Sequence, residues 1–440
     1  MKQRNVVATA FDEVEKRLMN LANPGIRPGL SRIARLLEGV GHPERSFPAV
    51  HVVGTNGKGS TSALIESVLR HAGYRTALYT SPHLTHFGER LRVNGEILGP
   101  DAWNHAIDLL EPVLRRTGEA PTFFEVSTAA AFLLAETGNV EIAVVEAGLG
   151  GRLDATNILS KVLVSVFTAI GLDHREYLGE SLAGVAAEKF AVLRPAGKSC
   201  FAGGNEQLEK MYSHRCRLLG NDGIVLSSAA TCTVRKIDTE GTLFDVSFMG
   251  KNYRDLRTGL IGGHQAANAL NAIAAITRLP GETFSVSEEH MRAGFRKACL
   301  AGRFDIRRTK DYTIILDGAH NPQGMAALVK TLSHLSLDRE ISIVFASMKD
   351  KDYRQSLDLL RKTGGSLFLT RVSGMERSAE PACLLEAALG GTGWPAGVKV
   401  VESPAEALEA ALKKNRTVLC CGSLYLLSEI LTLIGPSETT

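Results

Sequence analysis

Val52-Val53-Gly54-Thr55-Asn56-Gly57-Lys58-Gly59-Ser60-Thr61 follows an apolar run and opens a helix-forming stretch. Strand, glycine-rich turn and helix in that order are the setting of a phosphate loop. The glycines let backbone N–H groups turn toward an anion, the helix start adds partial positive charge, and Lys58 adds a full one. The stretch departs from GxxxxGK[ST]: Val52 stands at the first glycine's place, and Gly59 separates the lysine from the hydroxyl of Ser60. A lysine inside the turn favours nucleotide phosphate over a glycine turn that merely caps a helix with Ser60.

Outward from this loop, short β-branched runs alternate with helical patterns. Ala49–Gly54, Thr76–Thr80, Ile142–Glu146 and Val162–Ala169 read as buried strands, with helices such as Ser60–His71 and Glu125–Glu136 between them. That alternation predicts a mostly parallel sheet covered by helices on both faces. From about Phe201 to Leu260 the pattern changes. Ile224–Leu226, Thr231–Ile237 and Thr242–Met249, joined by Gly and Asp turns, read as antiparallel β insertions, followed by an Ala/Asn-rich helix from Gly263 to Leu279. A second alternating run comprises Thr313–Leu316, Ile341–Ala346, Leu367–Thr370, Val398–Val401 and Thr417–Cys421. The expectation is an α/β protein with a boundary near residue 300: a larger domain over 1–300 and a smaller α/β domain over 301–440.

The chain has 440 residues with 22% charged and 44% hydrophobic content, which suits packed domains and argues against disorder. Fifty Lys plus Arg against 47 Asp plus Glu leave a net charge of +3, too small to argue for a nucleic-acid partner. Seven cysteines at 200, 216, 232, 299, 383, 420 and 421 form no CxxC pair and are expected to be reduced thiols. The opening MKQRNVVATAFDEVEKRL reads as an amphipathic helix and not a signal peptide, and no stretch reads as a membrane span, so a cytoplasmic protein is expected.

Three further stretches carry chemistry. Glu146 ends a buried strand and opens Ala147-Gly148-Leu149-Gly150-Gly151-Arg152-Leu153-Asp154-Ala155-Thr156-Asn157. A carboxylate emerging there, at the carboxyl end of a parallel strand, suits Mg²⁺, though it also suits capping of the loop after it. Leu172-Asp173-His174, followed by Lys189, is weak alone: on local evidence a satisfied histidine and a solvated helix lysine are the favoured readings. Gly302-Arg303-Phe304 precedes Asp317-Gly318-Ala319-His320-Asn321-Pro322, where an acid at a strand end suits a ribose hydroxyl or an Asx turn.

Together these stretches resemble one family. HVVGTNGKGST, YTSPHL with ERLRVNG, TFFEVSTAAAF, EAGLGGRLDATN, GLDH, Glu188-Lys189, GGHQAANA, GRF, DGAHNP and CGSLYL run in one order from about residue 26 to 425. They are similar to the bacterial folylpolyglutamate synthase/dihydrofolate synthases of the wider Mur ligase family. The resemblance implies a central P-loop ATPase-like domain and a C-terminal Rossmann-like domain. It also implies ATP-dependent addition of L-glutamate to dihydropteroate and reduced folates through an acyl phosphate.

By the same resemblance, Thr55, Asn56, Gly57, Lys58, Gly59 and Ser60 bind the nucleotide phosphates, and Asn268, Arg303, Asp317 and His320 contact ATP. Ser81, Glu146 and His174 hold Mg²⁺, with Lys189 carried as a carbamate; Lys58, His174 and Lys189 serve the reaction. The pterin-bearing substrate lies against Ile26, Arg27, Pro28, Thr122, Phe123, Phe124, Glu125, Leu153, Asp154 and Ala155. A monomer acting on small molecules, with neither nucleic-acid nor membrane partner, is expected. The family's EKAGI reads here as Glu188-Lys189-Phe190-Ala191-Val192, and Leu300-Ala301 replaces the aromatic residue that commonly precedes GR. Arg152-Leu153-Asp154-Ala155 resembles the bifunctional type; glutamylation alone, or a Mur-type peptidoglycan ligase, are the alternatives.

Overall fold

Apolar runs too short for helices and rich in Val and Ile become strands buried on both faces, and each hands over to a helix that covers the sheet. The computed structural model describes residues 2–116, 119–338, 340–390 and 393–435; Met1 and the last five residues of the 301–440 assignment lie outside them. The chain divides into two compact units: Met1–Thr233, Asp245–Leu256 and Ala267–Ala298 form the first, and Val234–Phe244, Arg257–Ala266 and Cys299–Thr440 the second.

The first unit holds an eight-stranded sheet. Its strands are β1 Ala49–Val53, β2 Thr76–Tyr79, β3 Leu91–Val93, β4 Glu96–Ile97, β5 Ile142–Glu146, β6 Val162–Phe167, β7 Lys198–Phe201 and β8 Asp222–Val225, in spatial order β4-β3-β2-β5-β1-β6-β7-β8. The strands from β2 to β8 pair parallel, while β3 and β4 add an antiparallel edge. One apolar layer packs Phe47, Phe87, Trp103 and Phe132. Another packs Phe167, Phe190, Phe201 and Tyr212.

The order β2-β5-β1-β6 positions the site. In register, Val52 faces Glu146 and Val53 faces Phe167. The carboxyl ends of these four neighbours therefore deliver Ser81, Glu146, the Gly54–Ser60 loop and the 168–174 segment to one edge of the sheet, where open α/β sheets carry ligands.

One expectation needs correction. The 224–226 piece is no antiparallel insertion: Ile224 and Val225 belong to β8, which pairs parallel with β7 at the edge of the main sheet, and Leu226 opens the short helix Leu226–Ala229. The long helix Glu206–Leu219 between β7 and β8 makes that parallel crossover feasible. The remaining pieces form a separate three-stranded sheet of β9 Ala230–Asp238, β10 Gly241–Phe248 and β11 Lys251–Thr258, ordered β11-β10-β9. Two-residue connections between them permit only antiparallel pairing.

The second unit carries β12 Asp305–Arg308, β13 Thr313–Asp317, β14 Ile341–Phe345, β15 Ser366–Leu369, β16 Val398–Val400 and β17 Thr417–Cys421 in the order β12-β13-β17-β14-β15-β16. All pairs are parallel except β12 with β13. Its core gathers Ile315, Leu328, Ile343, Phe345, Leu369 and Leu419. Among the described residues no helix is long and apolar enough to cross a membrane. All seven cysteines are free thiols.

Candidate active site

The loop after β1 is tied down from the neighbouring strand. Thr55 and Asn56 donate their N–H groups to Ala169 O at 2.8 and 3.2 Å. The Thr55 hydroxyl meets Gly171 O at 2.9 Å. Gly57 precedes the helix Lys58–His71 with φ +86°, and a Cβ there would lie 2.3 Å from Asn268 Oδ1. Only glycine meets both conditions. Asn268 thereby sits against the phosphate loop within the first unit. Gly54 is equally confined, since a Cβ would come 1.9 Å from Thr168 Oγ1.

Charge concentrates beside this loop. Lys58 Nζ donates to Thr55 O at 3.3 Å and stands 3.9 Å from Glu146 Oε1. Glu146 is buried, and its other oxygen accepts from Ser81 N at 3.3 Å. The structure thus brings Ser81, Glu146 and Lys58 together. His174 starts the short helix Arg175–Leu178 in a left-handed conformation, φ +49°, with Nε2 3.9 Å from Asp173 Oδ2. Among the described residues no three His, Cys, Asp or Glu side chains converge on one point. Glu146 and Ser81 nevertheless supply adjacent oxygen donors of the kind a hard divalent cation takes, so the residues fit Mg²⁺.

Lys189 is 4% exposed and donates Nζ to Gly54 O at 2.8 Å. Burial, then the nearby Lys58 charge, pushes its amine down to about 7, against the pull of Asp173 and Asp154. A buried lysine poised near neutrality carries a usable lone pair.

The three segments expected to hold the pterin-bearing substrate adjoin one another. Arg32 links two: its Nε donates to Glu125 Oε2 at 3.0 Å, and its Nη2 donates to Arg27 O. Thr122 caps the helix Phe123–Thr137 in a reciprocal box, Glu125 N to Thr122 Oγ1 at 3.2 Å and Thr122 N to Glu125 Oε2 at 2.7 Å. Glu125 Oε1 is buried and has no hydrogen-bond partner among the described residues. Phe124 lies against Gly148, where a Cβ would meet its ring at 2.6 Å, and the next residue, Leu149, is tied through its N–H to Asp154 in the third segment. Ile26 is 42% exposed, with Arg27 and Pro28 beside it in the loop before the helix Ser31–Gly39. Leu153 precedes Asp154, which caps the turn Ala155–Ile158 and accepts Leu149 N at 2.7 Å. Burial pushes the Asp154 carboxyl up, opposed by these hydrogen bonds and by Lys58.

Arg90, within ERLRVNG, has no role implied by the sequence. It is buried, takes His83 Nδ1 as acceptor at 3.0 Å, and lies over the rings of Phe87 and Phe123 at 5.7 and 5.2 Å. Among the described residues no carboxylate stands within ion-pair distance of it; Glu15, 3.7 Å from His83 Nε2, feels the Arg90 charge, and the guanidinium offers further N–H donors to an acidic ligand. Burial, then Arg90, pushes His83 down to about 4, which keeps it a neutral acceptor. No spacing in the sequence distinguishes Arg90 from a surface arginine; its burial does.

In the second unit Asp317 ends β13. Its oxygens accept Phe304 N at 2.9 Å and Ala319 N at 2.8 Å, which leaves each a free lone pair for a hydroxyl. Burial pushes its carboxyl up, against the pull of Arg303. Arg303 lies against Gly318, where a Cβ would come 2.4 Å from Nη1, and His320 Nδ1 is 2.8 Å from Gly318 O. Arg303, Asp317 and His320 therefore cluster around the turn after β13.

Comparison with known proteins agrees with these features. The Mur ligase middle domain matches residues 52–276 and the Mur ligase glutamate ligase domain matches residues 302–424. The chain belongs to the Mur ligase family of ATP-dependent ligases. A dihydrofolate synthase/folylpolyglutamate synthase of Bacillus subtilis is 32% identical over 96% of this chain and 98% of its own. A Mycobacterium tuberculosis folylpolyglutamate synthase complexed with ADP superposes with a TM-score of 0.89 at 29% identity, covering 98% of this chain and 99% of that one. Escherichia coli FolC in complex with DHPP and ADP superposes at 0.85 and 28% identity, covering 96% and 97%. Within the family the chain falls in the dihydrofolate synthase/folylpolyglutamate synthase branch.

Proposed function

We propose that the protein joins L-glutamate to the carboxylate of dihydropteroate, and to the glutamyl carboxylate of reduced folates, at the expense of ATP. The observation that carries this reading is one edge of one sheet. There the phosphate loop with Lys58 and Glu146 lies beside substrate segments knit together by Arg32, Phe124 and Asp154.

A carboxylate is a poor acyl donor near neutrality, so its oxygen first attacks the γ-phosphorus of ATP. The resulting acyl phosphate has a leaving group that the glutamate amine displaces, giving amide, ADP and phosphate. The backbone N–H groups of residues 55–60 and the Lys58 charge hold the phosphates and offset charge that builds during transfer. Asn268 lines that loop. Asp317 offers its free lone pairs to the ribose, with Arg303 and His320 near the nucleotide. Arg90 orients an acidic substrate group. Phe124 offers a ring face and Asp154 an acceptor to the pterin.

Mg²⁺, when bound, supplies charge neutralisation at the phosphates; Ser81, Glu146 and His174 are the residues to hold it. The neutral Lys189 amine is a nucleophile for CO₂, and the carbamate so formed would present oxygen where the amine now presents N–H. The domain assignment is an ATP-binding domain over 1–300 and a Rossmann-like domain over 301–440. The setting is a cytoplasmic monomer acting on small molecules.

ADP release measured with dihydropteroate, then with tetrahydrofolate, tests both activities. Turnover of both is expected; turnover of tetrahydrofolate alone would leave only chain extension.

A further inference from the structure

His51 is a buried titratable group that the chemistry above does not use. It lies in the middle of β1, three residues before Gly54, and is fully buried. Its Nε2 is 2.8 Å from Thr156 Oγ1. The Thr156 hydroxyl in turn donates to Asp154 Oδ1 at 2.5 Å, and Thr156 N donates to the same oxygen at 3.0 Å.

A hydroxyl has one proton, and here the carboxylate takes it. The threonine oxygen therefore accepts from an N–H on His51 Nε2, which fixes the neutral tautomer with a bare Nδ1. The structure agrees: Nδ1 is buried and has no hydrogen-bond partner among the described residues. Burial, then the Arg194 charge, holds the imidazole down at about 3, so it stays neutral. The turn is gripped at its far end too, where Arg194 Nη2 donates to Asn157 O at 3.0 Å and Leu159 O at 3.1 Å.

We propose that His51 and Thr156 are positioning residues that lock the Asp154 carboxylate in one rotamer, with a single lone-pair direction on Oδ2 left for an N–H of the pterin-bearing substrate. Oδ1 is saturated by the two Thr156 donors, while among the described residues Oδ2 accepts only Leu149 N at 2.7 Å. The strand that feeds the phosphate loop thereby also sets the substrate acceptor. This rests on the reading of Asp154 as a contact for that substrate.

The test uses the full-length protein with ATP, L-glutamate and dihydropteroate. Thr156→Val keeps shape and removes the hydroxyl. It is expected to raise KM for dihydropteroate about tenfold, with kcat and KM for ATP within about twofold, and Thr156→Ser is expected to restore KM. A folded Thr156→Val with unchanged KM, beside an Asp154→Asn variant whose KM rises, overturns the positioning role. Unchanged KM in Asp154→Asn removes the underlying reading instead. Should Thr156→Val not fold, His51→Gln (N–H retained) and His51→Phe (N–H lost) ask the same question. Raised KM in the phenylalanine variant alone supports the proposal, and unchanged KM in both contradicts it.

Discussion

Lys58 is placed for charge and not for packing: its ammonium touches one backbone carbonyl and approaches Glu146. Lys58→Ala is therefore expected to lower ATP-dependent turnover by about 10²–10³-fold while leaving the far-UV CD spectrum intact. Near-normal ADP release would contradict the assignment. Lys189 gives a prediction with a sign. Its amine falls from an ordinary 10.5 to about 7 in the folded chain. Between those values the unfolded chain holds a proton that the folded chain has released, so stability rises with pH across that window. Below pH 7 both states are protonated and the penalty of burying the ammonium is felt in full. Urea midpoints in bicarbonate-free buffer between pH 7 and 10 should rise less in Lys189→Met than in the parent; equal slopes would contradict the shift. In bicarbonate, a ¹³C carbamate resonance that Lys189→Met removes is the expected sign of the modification, and an active sample without it would refute the carbamate.

Among the elements, the phosphate loop was legible because its chemistry is local: strand, glycines, lysine and helix are contiguous in the chain. The reason Gly57 must be glycine was only half legible, since its left-handed φ belongs to the turn but the Asn268 side chain against it comes from 211 positions further on. Gly57→Ala is expected to displace Asn268 and to weaken ADP binding, with about 1–3 kcal/mol lost from stability. Calorimetric affinity unchanged from the parent would contradict this. The capping box at Thr122 and Glu125 carries a readable pattern, whereas the Arg32–Glu125 pair does not, because nothing local joins residues 93 apart. Arg32→Ala leaves Glu125 buried beside an empty place and is expected to cost about 3 kcal/mol by urea denaturation; a loss below about 1 kcal/mol would contradict a tightly held pair. Phe190, which stands at the alanine of EKAGI, packs its ring 5.3 Å from Phe167 and 5.2 Å from Phe201.

At the scale of the whole molecule, alternating periodicity located most parallel strands, because both-face burial demands continuous apolar runs. It failed at edges. The edge strand β8 reads as an antiparallel piece, and β12 goes unread, since its Asp305-Ile306-Arg307-Arg308 carries charge and shows no apolar run. Asp317 at a strand end was legible; the backbone donors that fix its carboxylate were not, for Phe304 reaches it only through the fold. The proposed chemistry couples ATP cleavage to amide formation, and the ratio of ADP released to L-glutamate incorporated with dihydropteroate as acceptor measures it most directly. One ADP per glutamate, with no release when glutamate or dihydropteroate is withheld, is the predicted result. Steady ADP release without glutamate incorporation, or no turnover with all three substrates present, would contradict it.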